Sequence, residues 1–163
     1  MRKTLVSVIG AGAATPEERA QAEEVGRLIG EAGAVLVCGG LGGVMEAACR
    51  GAKKAGGLTL GFLPGESPQT SNPHLDIALP TGLGEVRNAL VARSADGVIA
   101  VGGALGTLSE LAFAIKKRLP VAAIGSWELN AERLPPDACF FEAETPSEAV
   151  DFVMKRIAER RAT

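Results

Sequence analysis

The sequence predicts an α/β protein: one domain, residues 1–163, built as a three-layer, doubly wound, Rossmann-like parallel sheet. Three observations lead there. Short β-branched runs alternate with segments of helical periodicity. The runs are apolar at consecutive positions, as in strands covered on both faces. The 21 glycines of the 163 residues gather where these runs pass into helices. Apolar residues make up 47% and charged residues 22%, an ordinary balance for a globular chain.

Residues 4–9 form the first expected strand, broken by Gly10-Ala11-Gly12-Ala13-Ala14. Thr15-Pro16-Glu17-Glu18 then opens a helix, with Thr15 as N-cap, proline at the first helical position and Glu18 closing a capping box. That helix runs to about Glu31, with Ala22, Val25, Leu28 and Ile29 on its apolar face. Residues 34–38 are the second strand, followed by Gly39-Gly40-Leu41-Gly42-Gly43 and a helix to about Ala55. The third strand is 58–62. Residues 63–74 hold three prolines and form a loop long enough to be functional. A short strand at 76–79 and a helix at 85–94 follow. Residues 97–101 make the fifth strand, 102–105 a glycine-containing turn and 106–118 a helix. Strands at 121–124 and 138–141 complete the sheet. Thr145-Pro146-Ser147-Glu148 opens the last helix with the same signature as Thr15.

Several function classes are excluded by composition. A formal net charge of −2 offers no bulk attraction for nucleic acid or an acidic membrane. No run approaches the roughly 20 apolar residues that span a bilayer. The basic N-terminus leads straight into a strand, so a cytoplasmic location is expected. Three cysteines without CxxC spacing read as reduced, small buried hydrophobes. With a single histidine, His74, no metal site is expected. His74 itself, in the proline-rich loop, reads as solvent-facing rather than catalytic.

Chemistry is carried by the glycine-rich junctions. A parallel sheet places all three along one edge, where doubly wound sheets bind ligands. Each feeds a helix N-terminus, whose N–H groups lack partners and whose dipole favours an anion. A nicotinamide dinucleotide is disfavoured. Gly10-x-Gly12 is followed by Thr15 at the third fingerprint position, and Cys38-Gly39-Gly40 stands where an acidic residue would hold the ribose.

The third junction reads Val101-Gly102-Gly103-Ala104-Leu105-Gly106-Thr107-Leu108-Ser109-Glu110. Here the chain resembles the "lonely guy" phosphoribohydrolases, often mislabelled lysine decarboxylases, and the related molybdenum cofactor carrier proteins. The former carry P-G-G-x-G-T-x-x-E. This chain has Gly102 in place of the proline and Ala104 in place of the second glycine. The second junction, Gly39 to Ala47, and the stretch from Arg50-Gly51-Ala52 to Gly61-Phe62-Leu63-Pro64-Gly65 resemble the carrier branch more closely. So does Arg87-Asn88, where the enzymes have Arg-Lys. The resemblance spans roughly residues 4–125.

The resemblance implies that the chain binds a phosphorylated, nucleotide-like molecule, either a nucleoside monophosphate or the molybdenum cofactor, without requiring a further cofactor. The ligand residues it implies are Gly10, Gly12, Gly39, Gly40, Gly42, Gly43, Met45, Arg87, Asn88, Gly102, Gly103, Gly106 and Thr107. A carrier is the expected function. The alternative is hydrolysis of the N-glycosidic bond of a nucleoside 5′-monophosphate, with Glu110 and Arg87 as the catalytic pair. Relatives implied by the resemblance are dimers or larger, so a homodimer or homotetramer is expected.

The residues leave other readings open. Thr107-x-x-Glu110 is also a capping box, like those at Thr15 and Thr145. Arg87, in the first turn of its helix where a cation is disfavoured, either faces a ligand anion or pairs with Glu85 or Asp96. Glu46 reads as a helix-terminal stabiliser. Trp127 either stacks on a base or seals a core edge. The face of Leu108, Leu111, Ala112 and Ile115 suits an interface or the core equally.

Overall fold

The computed structural model describes residues 2–163. Seven strands form one parallel sheet: β1 (Leu5–Gly10), β2 (Val35–Cys38), β3 (Leu58–Leu63), β4 (Ile77–Pro80), β5 (Gly97–Val101), β6 (Val121–Ile124) and β7 (Phe140–Glu142). Their order is β4-β3-β2-β1-β5-β6-β7. The chain winds outward from β1 to β4, returns to the centre to place β5 against β1, and winds outward again on the other side. The order therefore reverses between β1 and β5, which pair from Val6↔Gly97 to Gly10↔Val101.

Five helices cover the two faces: α1 (Pro16–Glu31), α2 (Val44–Lys54), α3 (Asn88–Ser94), α4 (Leu105–Lys116) and α5 (Pro146–Ala162). Alternate strand residues point to opposite faces, and two buried clusters result. Val6, Val8, Ile99 and Val101 meet α1, α2 and α5. Ile9, Val98, Ala100 and Val121 meet α3 and α4. The central strands are thus almost wholly apolar because both their faces are buried, and the one buried hydroxyl of β1, on Ser7, donates to Val91 O at 2.6 Å.

The caps of α1 and α5 follow the sequence reading. Thr15 Oγ1 accepts from Glu18 N at 3.1 Å, and Glu18 Oε2 accepts from Thr15 N at 2.8 Å. Thr145 Oγ1 accepts from Glu148 N at 3.2 Å, while the Glu148 carboxylate reaches one residue further back, to Glu144 N. Helices α1 and α2 approach closely at two glycines within their spans. A Cβ on Gly26 would lie 1.9 Å from Ala48 O, and one on Gly51 would lie 1.9 Å from Glu23 O.

Three elements depart from expectation. The helix expected from Glu85 starts as a 3-10 turn, Gly84–Arg87, before α3. Helix α4 begins at Leu105, not Gly106, with Ala104 as N-cap. On α4, Leu111 and Ile115 belong to the core, whereas Leu108 is half-buried and Ala112 exposed, so the expected apolar face is divided. Exposed apolar side chains on this side of the sheet include Leu105 and Phe113 of α4 with Leu83, Val86 and Leu90 around α3. Among the described residues no helix is long and apolar enough to cross a membrane.

Candidate functional site

A cavity of about 530 Å³ lies beyond the carboxyl ends of β1 and β5, at the reversal of strand order, where doubly wound sheets place their ligands. Gly10, Ala11, Gly12 and Ala13 of the β1–α1 loop form one side. The turn before α3 supplies Gly84, Glu85, Arg87 and Asn88. Helix α4 supplies Ala104, Gly106, Thr107 and Glu110. Leu41, Met45 and Pro64 form an apolar wall.

Of the long helices that start at this edge, the three nearest the cavity are not equivalent. The N-terminus of α1 is closed by its own capping box and carries Glu17 and Glu18. At α2, the Val44 N–H donates to Ala11 O at 3.0 Å, and Glu46 occupies the first turn, as read from the sequence. Helix α4 has neither a side-chain cap nor an acid in its first turn. The N–H groups of Leu105, Gly106 and Thr107 have no intrahelical acceptors. The anion-ready terminus is that of α4.

Its start is held from the β6 side. Gly102 N donates to Ile124 O at 2.9 Å, and the Trp127 indole N–H donates to Ala104 O at 3.0 Å. Trp127 packs against the core beneath α3 and α4 and does not line the cavity. Gly102 has φ +54°, and a Cβ there would lie 2.0 Å from Glu18 Oε1. Proline, with φ near −65°, does not fit this backbone. The early start of α4 also removes the capping-box reading of Thr107 and Glu110. Thr107 lies buried inside the helix and Ala104 is the N-cap, so Glu110 sits beyond the first turn.

Glu110 is 6% exposed. Burial pushes its carboxyl up to about 7, against the opposing pull of the Arg87 charge. Arg87 is 8% exposed. One terminal nitrogen donates to Asn88 Oδ1, the other to Gly39 O at 3.4 Å, and the buried Nε has no partner. The surface-pair reading of Arg87 does not hold. Asp96 is taken by Arg2 at 2.6 Å and Arg161 at 3.0 Å, and Arg87 makes no salt bridge among the described residues. A guanidinium is thus buried beside a cavity with only neutral acceptors.

The structure brings Gly10, Gly12, Met45, Arg87, Asn88, Gly106, Thr107 and Glu110 together around this cavity. Gly39, Gly40, Gly42, Gly43, Gly102 and Gly103 lie outside its lining, and packing occupies the open sides of all but Gly42. A Cβ on Gly39 would lie 2.8 Å from both Arg87 Nη2 and Met45 Sδ, and one on Gly43 would lie 2.2 Å from Ala11 O. Gly40 packs on Leu63, and Gly103 on Thr107. Gly42 is less confined, with Gly12 O at 3.7 Å from its Cβ position. These glycines let the surrounding backbone pack closely next to the cavity. Leu41, Pro64, Gly84, Glu85 and Ala104 line the cavity without having been singled out. Glu85 reads from the sequence only as a surface partner for Arg87, the other four carry no chemical signature, and the folded β2–α2, β3–β4, β4–α3 and β5–α4 connections bring them in. His74 lies outside, its N–H donating to Asn72 Oδ1 at 3.0 Å and its carbonyl accepting from Thr59 Oγ1.

The model of the SLOG cluster4 family matches residues 3–150. The chain belongs to the SLOG cluster4 family. An uncharacterized protein of Archaeoglobus fulgidus is 41% identical over 154 residues, covering 93% of this chain and 95% of that one. Two solved structures share the fold of this SLOG cluster4 protein at higher than fold-level identity. The molybdenum cofactor binding protein of Rippkaea orientalis has a TM-score of 0.88 and 40% identity, over 96% of this chain and 99% of that chain. The molybdenum cofactor carrier protein of Chlamydomonas reinhardtii has a TM-score of 0.80 and 32% identity, again over 96% and 99%. The similarity to the carrier branch seen in the glycine loops therefore extends along nearly the whole chain.

Proposed function

We propose that this SLOG cluster4 protein binds a phosphorylated, nucleotide-like molecule and carries it unchanged, with the molybdenum cofactor as the favoured cargo and a nucleoside monophosphate as the related alternative. The buried Arg87, without a carboxylate partner beside the open N-terminus of α4, is the observation that carries this reading. A buried guanidinium lacking a counter-ion costs free energy, and an anionic ligand offsets that cost. The phosphate would meet the N–H groups of Leu105, Gly106 and Thr107 with Arg87 alongside. The apolar wall of Leu41, Met45 and Pro64 would cover a flat heterocycle, and the cavity volume lies in the usual ligand range of about 300–1,000 Å³. Similarity to proteins described as molybdenum cofactor carriers supports that cargo. The exposed Leu105, at 73%, and Val86, at 69%, support association with a second copy near the cavity mouth.

The second reading is a phosphoribohydrolase, favoured by one observation. A buried carboxyl near pH 7 beside a guanidinium is suited to general acid–base work. Glu110 would act at the ribose while Arg87 held developing charge. The Gly102 backbone weighs against it, since the enzyme motif has proline where this chain needs φ +54°.

Two measurements test the proposal. Calorimetry with AMP, GMP, ribose 5-phosphate and adenosine should give binding only for the phosphorylated compounds. Protein purified from molybdate-supplemented cells should carry molybdenum and a pterin that mass spectrometry detects. Equal binding of adenosine and AMP would refute the phosphate site. Release of free base from AMP in a chromatographic time course, abolished by Glu110→Gln, would replace the carrier with the enzyme.

A further inference from the structure

Hydrogen-bond donors and acceptors around Asn88 can be assigned, because one neighbour, the Arg87 guanidinium, can play only one part. The Arg87 guanidinium only donates, so it must face the Asn88 carbonyl Oδ1. That turns the Asn88 amide nitrogen toward Ser109 Oγ, at 3.2 Å. With its oxygen accepting, the Ser109 hydroxyl gives its proton to Gly106 O, at 2.6 Å. A chain of one polarity therefore runs from Arg87 through Asn88 and Ser109 to the first turn of α4. Asn88 is buried and lines the cavity, and its amide nitrogen is the neighbour closest to the open side of Gly106, 3.6 Å from where a Cβ would stand.

We infer that Asn88 and Ser109 are positioning residues that couple the two anion-binding elements, holding Arg87 in register with the N-terminus of α4 while leaving its charge free. The inference rests on the phosphate site proposed above and adds what sets its charge and spacing. A carboxylate at position 88 would hold the guanidinium as well or better but would neutralise it. An amide orients Arg87 and leaves the positive charge for the ligand. It also supplies the N–H donor that a carboxylate lacks, which keeps the Ser109 hydroxyl directed at Gly106 O. The site thereby favours an anion by placing an amide, and no carboxylate, in hydrogen-bond contact with Arg87.

The test is Asn88→Asp, a change of one atom in nearly constant volume. Calorimetry with AMP and with ribose 5-phosphate should show affinity falling about 10- to 100-fold, the range expected when a hydrogen bond to a charged group is lost. The melting temperature should hold or rise, because Arg87 gains a counter-ion. A merely structural Asn88 would give the opposite pattern: lower stability with affinity retained in the folded fraction. Ser109→Ala is the second variant, at a partly exposed position. Breaking the chain there should weaken both compounds about 2- to 10-fold, the worth of one neutral hydrogen bond. If the wild type binds both compounds and N88D binds them equally well, the coupling role is overturned while the phosphate site stands. If the wild type binds neither, both fall.

Discussion

Replacing Glu110 by Gln removes a buried carboxyl whose ionisation is costly in this fold. The carboxyl is 6% exposed, and its pKa rises from 4.5 to about 7. In the unfolded chain it ionises near its ordinary value, so between these two limits the folded state holds the proton more tightly. Its contribution to stability is fully present below about pH 4.5 and is lost as pH rises through 7. At about 1.36 kcal/mol per pKa unit the loss is about 3 kcal/mol. Glutamine fills the same space, cannot ionise, and removes this pH dependence. Urea denaturation of both proteins at pH 5, 6, 7 and 8 should give curves that diverge with rising pH. By pH 8 the Gln variant should be the more stable by about 3 kcal/mol, or about 6–12 °C in melting temperature for a chain of this size. Other groups titrate alike in both proteins and cancel in the difference. A difference that stays constant across this range would refute the reasoning, because Glu110 would then be ionised throughout.

Two further substitutions probe the start of α4. Gly106→Val places a branched side chain on the open side of Gly106, where the nearest atom to a Cβ is 3.6 Å away. AMP binding should be abolished in calorimetry while the melting temperature stays close to that of the wild type. Trp127→Phe keeps the ring against the core but removes the indole donor to Ala104 O. It should cost about 1 kcal/mol of stability, measured by urea denaturation. Trp127 is the single tryptophan in a chain without tyrosine, so wild-type emission should shift with AMP and not with adenosine. An unchanged spectrum at saturating AMP would detach Trp127 from the ligand-binding end of α4.

The sheet was legible because its strands are buried on both faces and its glycines mark where strands end. The caps at Thr15 and Thr145 were legible because a side-chain hydroxyl and a glutamate three residues on satisfy each other locally, whatever lies elsewhere. The same spacing at Thr107 and Glu110 misled for the complementary reason. Helix α4 starts two residues before Thr107, fixed by the Gly102–Ile124 bond and the Trp127 indole, which are contacts across the fold. Arg87 stood out as a cation in an unfavourable first turn. That Asp96 is engaged by Arg2 and Arg161, from the two ends of the chain, is a tertiary fact that no local pattern contains. The glycines of residues 39–43 showed that backbone passes closely here. Whether the close neighbour was a ligand or Arg87, Met45 and Ala11 depended on how α2 and the β1–α1 loop meet.

The charge arrangement at the cavity explains why these local costs persist together. An arginine buried among neutral acceptors, a carboxyl buried until its pKa nears 7 and a helix start without a cap each lower the stability of the free protein. Each would be relieved by an ordinary substitution: Asn88→Asp, Glu110→Gln, or a serine at position 104. All three costs act in the same electrostatic direction. A protonated Glu110 does not neutralise Arg87, an amide at 88 does not neutralise it, and an uncapped α4 adds its own positive end. Around neutral pH, where Glu110 is about half protonated, Arg87 and the start of α4 supply a positive field to a cavity whose lining also holds Glu85, inside a chain of formal charge −2. Lowering the pH should strengthen that field as Glu110 gains its proton. The affinity for a sulfate ester, whose own charge is constant in this range, should therefore rise from pH 8 to pH 6 in the wild type and stay flat in Glu110→Gln.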